Sequence, residues 1–137
     1  MARPGPVRRR ERSAVRRAAW HTERIGRART AQERLTAAAA FLISAATHAR
    51  GAGAARAAAA EVAEHARQVI GRAPLSPASR RLHEEKLTAG GTEAARLANA
   101  LMVLRSAIAR LPEADRDRLR EFYAGELAAE ATRIGGR

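Results

Sequence analysis

Few side chains in this sequence are equipped for chemistry. There is no cysteine, so a thiolate nucleophile, a disulfide scaffold and a thiolate zinc site are excluded. The four histidines are His21, His48, His65 and His83. None belongs to an HExxH pair, and none has a second histidine three or four residues on, the spacing that would put two ring nitrogens on one helix face. His65 lies four residues after Glu61, whereas di-iron bundles use Glu-x-x-His in two copies. His83-Glu84-Glu85 reads as a solvated helix face. The serines, Ser13, Ser44, Ser76, Ser79 and Ser106, show no nucleophile elbow and no evident base. Gly51-Ala-Gly53 lacks the Lys-Ser/Thr of a phosphate loop and follows a helical pattern rather than a strand. The sequence therefore assigns no catalytic residue, no metal and no cofactor, and the chain is expected not to be an enzyme.

What remains is a concentration of arginine. The chain carries a net charge of +12, and residues 1–30 alone hold ten Arg and two Glu. Two thirds of the net charge thus lies in less than a quarter of the chain, an asymmetry that points to a polyanion. On a helical wheel centred on Val15, residues Ala14, Ala18, Ala19, Thr22 and Ile25 form an apolar arc. Arg9, Arg10, Arg12, Arg16, Arg17, Arg24 and Arg27 lie opposite, while Arg8 and Glu11 break the division. Trp20, the only tryptophan, sits among the arginines, four residues from Arg16 and from Arg24. A membrane-surface helix would carry its tryptophan at the apolar boundary. A nucleic-acid surface gains from a ring that stacks on a base while guanidiniums reach phosphates. Arg8, Arg9, Arg10, Arg12, Arg16, Arg17, Trp20 and Arg24 are therefore the candidate nucleic-acid-binding residues. The bland alternatives are a cation–π cover of the ring by Arg16 or Arg24, or a core role for Trp20 with a different helix phase.

Helices must position these groups. The 36 alanines and the scarcity of β-branched and aromatic residues make an all-β fold improbable. Pro4-Gly5-Pro6 keeps the extreme N-terminus out of a helix, and a basic helix follows from Arg8 to Ile25. Thr30-Ala31-Gln32-Glu33 is a capping box that starts a helix running to about Ala49. Its stripe is Leu35, Ala38, Ala39, Leu42, Ala46 and Ala49, widened by Phe41 and Ile43. A third helix covers Ala54 to Ile70. Ser76 and Pro77 begin a fourth, which Gly90-Gly91 ends. Thr92 caps a fifth, Glu93 to Leu111. Pro112 starts a sixth, with Leu119, Phe122, Tyr123, Leu127 and Ile134 directed inward.

The fifth helix repeats Leu97, Leu101, Leu104, Ile108 and Leu111 at spacings of 4, 3, 4 and 3, broadened by Met102 and Val103. Such a heptad seam serves either core packing or a short homodimer contact. The fourth and fifth helices also admit a helix-turn-helix frame, in which Arg96 and Asn99 would begin a recognition helix. That helix is apolar over most of its surface, which argues for an ordinary αα-hairpin.

The expected fold is all-α: a helical bundle of about five helices over residues 30–137, preceded by a basic N-terminal arm and helix over residues 1–29. The longest uncharged run, Leu35 to Ala49, is too short and too alanine-rich to span a bilayer, which needs about 20 apolar residues. Arg16-Arg17 is not followed by an apolar export segment, so the cytoplasm is the expected location. The Ala/Arg bias resembles that of chains from high-GC bacteria. The expected function is non-enzymatic nucleic-acid binding, DNA before RNA, in regulation or maintenance. The alternative is a helical protein–protein interaction module whose basic segment docks on an acidic partner or aids solubility.

Overall fold

The computed structural model describes residues 6–51 and 53–135, apart from the side chains of residues 6–8, 10 and 11. Six helices account for nearly all of them: α1 (Pro6–Arg27), α2 (Ala31–Thr47), α3 (Gly53–Arg72), α4 (Pro77–Thr88), α5 (Glu93–Ala109) and α6 (Glu113–Gly135). Three starts follow from side-chain caps. The Thr30, Ser76 and Thr92 hydroxyls each accept from the backbone N–H three residues on, at 3.1 Å. At Thr30 the reciprocal arm is displaced by one residue. Glu33 accepts from the N–H of Arg29 at 2.8 Å, not from the cap itself. The third helix, expected to end at Ile70, runs on through Gly71 to Arg72.

The helices associate mainly in two pairs, α2 with α6 and α3 with α5. Alanine dominates the contact surfaces, with Ala38, Ala58, Ala66, Ala107 and Ala131 fully buried. Small side chains let helix axes approach closely. The large groups that fill the remaining space include Leu42, Ile70, Leu97, Leu104, Ile108 and Leu127. Arg105 crosses from α5 to donate to the Thr36 hydroxyl on α2 at 3.0 Å, and Arg56 on α3 pairs with Glu93 on α5 at 2.9 Å.

Three expectations need correction. The basic segment is not an arm that stands off the bundle. Its C-terminal half packs on α2 and α6, with Ala18 and Ile25 against the core and His21 buried on Phe41. Leu97, Leu101, Leu104, Ile108 and Leu111 are all buried within the chain's own core, so no dimer seam is presented to solvent. Finally, Ile43, Met102 and Phe122 face outward rather than widening the core.

Candidate nucleic-acid interface

In α1 the apolar residues are too small and too few to fix the helix phase. The docked face is Ala14, Ala18, His21 and Ile25, about a quarter turn from the Val15-centred arc. Val15 is therefore exposed. His21 becomes the anchor that the periodicity does not reveal. Its ring is stacked on Phe41, with centroids 5.2 Å apart, and its Nδ1 is buried with no hydrogen-bond partner. Burial first, and the nearby Arg24 second, hold its pKa below the ordinary histidine range.

The opposite face is solvent-exposed and cationic. Arg9, Arg12, Arg16, Trp20 and Arg24 are all exposed. Trp20 is 57% exposed, which excludes a core role. The Arg24 guanidinium lies over its ring, 5.6 Å from the centroid. Trp20 also meets the neighbouring His21 ring edge-on at 4.7 Å. The tryptophan thus touches a cation and the anchoring histidine while more than half of its surface stays in water. Arg9, Arg12, Arg16 and Arg24 join no ion pair among the described residues, whereas Arg27 is paired with Glu23. From Arg9 to Arg24 the stripe runs about 22 Å along the helix axis.

Not every candidate joins this face. Arg17 is half-buried and lines a groove of about 1100 Å³ between α1, the end of α2 and the end of α6, with Arg50, Phe41 and Ile134 among its other walls; the exposed Arg9 lines the same groove. The side chains of Arg8 and Arg10 lie outside the described residues.

A link sets α1 against the bundle. Arg34, on α2, donates from Nη1 to the carbonyl of Ala28 at 2.9 Å. Its Nε donates to Glu121 on α6 at 2.7 Å. One guanidinium therefore closes the turn after α1 and ties it to a second helix.

The helix-turn-helix frame fails on its own residues. Arg96 donates from Nε to the carbonyl of Gly90 at 3.3 Å, and Asn99 donates from Nδ2 to the carbonyl of Ala89 at 3.0 Å. Both satisfy backbone acceptors after the end of α4 instead of facing a groove of DNA. Gly90 itself has φ +120°, and a Cβ there would meet the Arg96 backbone nitrogen at 3.1 Å.

One further polar side chain is placed differently from its sequence reading. His83 is not on a solvated face. It is buried, and its ring lies across the α4–α5 contact beside Ser106. No signal in the sequence could have paired residues so far apart on separate helices. His65 lies 3.8 Å from Glu61 and meets the edge of Tyr123. Among the described residues no cluster of His, Asp and Glu could hold a metal ion, and no helix is long and apolar enough to cross a membrane. Comparison with protein-family models, with curated proteins and with solved structures gives no match to this chain.

Proposed function

We propose that the protein binds nucleic acid, DNA before RNA, through the outward face of α1, and that this face binds without doing chemistry. The observation that carries the reading is Trp20, 57% exposed within an arginine stripe on a helix whose opposite face is anchored. An exposed aromatic ring is costly to leave in water, and this one is in contact with Arg24 and His21. Arg9, Arg12, Arg16 and Arg24 would meet phosphates, while the ring would stack on an accessible base. Because α1 is docked, little ordering entropy opposes the contact. Phosphate contacts of this kind hold the protein on the strand without reading sequence, so regulation or maintenance of DNA in the cytoplasm is the setting.

Trp20 also supplies the test, because it is the sole tryptophan. Full-length protein is titrated with single-stranded and duplex oligonucleotides, and tryptophan emission is read beside the anisotropy of a labelled strand. The expected result is emission that changes in step with anisotropy. Trp20→Ala should weaken single-strand binding by about 1–3 kcal/mol, the range for one base stacked on an aromatic ring. Absence of binding at physiological salt to either form, with retention of an acidic protein in a pull-down, would transfer α1 to the protein-interaction reading.

A further inference from the structure

The α4–α5 contact holds a second polar arrangement, remote in sequence from α1. His83 Nδ1 lies 2.7 Å from the backbone carbonyl of Ser79. A carbonyl oxygen only accepts, so Nδ1 carries the proton there, and in the neutral ring the lone pair is on Nε2. That nitrogen lies 3.0 Å from Ser106 Oγ, so the serine hydroxyl donates to it. This is the hydrogen-bond order of an activated serine: nucleophile, base, and a third group fixing the tautomer of the base. Here the third group is a carbonyl rather than a carboxylate. The hydroxyls of Thr47, Thr88 and Thr132 donate back to carbonyls of their own helices, whereas that of Ser106 is directed across to α4.

The pair lines a cavity of about 240 Å³. This is smaller than the roughly 300–1,000 Å³ of sites for drug-sized ligands, so its occupant is small. Leu82 and Met102 form apolar walls and are 61% and 51% exposed. Lys86 and Arg110 bring two cations to the same cavity, and neither is in an ion pair among the described residues.

We infer that Ser106 is a nucleophile toward small carboxylic esters with a short apolar acyl chain, with His83 as its general base. Ser106 Oγ bonds to the ester carbonyl carbon while its proton passes to His83 Nε2. The carbonyl oxygen becomes an oxyanion in the cavity that Lys86 and Arg110 also line. On collapse the bond to the leaving oxygen breaks, and Nε2 returns the proton to that oxygen as the alcohol departs. Water then attacks the acyl-serine, gives a proton to Nε2, and releases the carboxylic acid as the proton returns to Ser106. No redox partner is needed. The inference does not depend on the nucleic-acid reading, since α4 packs on α5 and α3 while α1 packs on α2 and α6.

The test uses the full chain with p-nitrophenyl butyrate and a fluorophosphonate probe, with the labelled residue mapped by mass. The expected result is a single adduct on Ser106 and ester hydrolysis that falls at least about 10²-fold in Ser106→Ala. His83→Gln should slow labelling by a similar factor. Its helicity and melting are checked first, because His83 also joins two helices. The decisive readout is the pH profile: labelling of the native chain should rise through one ionisation that His83→Gln abolishes, a change that a merely structural histidine would not produce. No adduct on Ser106, adducts spread over several serines, or native hydrolysis equal to that of Ser106→Ala would each overturn the inference.

Discussion

Neutralising the outward arginines of α1 should change how DNA binding responds to salt by an amount fixed by the structure. Among the described residues of α1, four guanidiniums, those of Arg9, Arg12, Arg16 and Arg24, are exposed and unpaired on the outward face. Each phosphate neutralised on duplex DNA contributes about 0.9 to the fall of log K with log salt, and about 0.7 on a single strand. Four contacts give slopes of about −3.6 and −2.8, equivalent to an affinity loss of about 150-fold or 50-fold between 50 and 200 mM salt. The triple variant Arg12→Gln, Arg16→Gln, Arg24→Gln retains one contact. Its duplex slope should fall to about −0.9, a loss of only about 3.5-fold over the same interval. Arg67→Gln and Arg118→Gln remove charges of the same sign from α3 and α6, where each is paired with an acid on its own helix. They should leave the slope unchanged. Anisotropy of a labelled duplex at four salt concentrations measures the native chain and each variant. If the triple variant keeps the native slope, or the control arginines lower it equally, attraction comes from the diffuse +12 of the whole chain and α1 is not the interface.

Three further outcomes test the architecture. Leu104 is fully buried, so Leu104→Ala should cost about 3 kcal/mol and lower Tm by roughly 10 °C, independent of protein concentration; a concentration-dependent Tm would restore the dimer seam. Burial, and then Arg24, lower the pKa of His21, so unfolded chains take up that proton first as pH falls through about 6.5. The contribution of His21 is complete above that pH and declines below it toward the depressed folded value, and urea unfolding followed by Trp20 emission should show a pH dependence that His21→Phe reduces. Gly90→Ala forces a side chain into φ +120° and against Arg96, and should cost about 1–3 kcal/mol by chemical denaturation, whereas Gly91→Ala, with nothing near its Cβ, should cost much less.

The helices themselves were legible because each cap is local. Thr30, Ser76 and Thr92 use hydroxyls three residues from the groups they satisfy, and Leu97 to Leu111 mark a buried stripe by spacing alone. The phase of α1 was not legible. Alanine contributes too little to bias one face over another, and the side chain that settles the matter is a histidine, which apolar periodicity does not count. Trp20 was correctly placed among arginines, but whether it faced water or protein depended on that phase. The meeting of His83 with Ser106 lay further out of reach. It depends on how α4 crosses α5, which follows from a positive φ at Gly90 and from Arg96 and Asn99 bonding to the turn. Those two side chains carried the pattern of a DNA reader and were occupied by the backbone beside them.

The alanine interior has a thermal consequence. A buried alanine surrenders no rotamer freedom on folding, but it also hides little apolar surface from water. Heat capacity of unfolding follows the apolar surface exposed, and typical domains show about 12–15 cal/mol/K per residue. A core walled by Ala38, Ala58, Ala66, Ala107 and Ala131 should lie below that range. The stability curve is then shallow: the protein gains little on cooling, loses little on moderate warming, and holds nearly constant stability across a wide span of temperature.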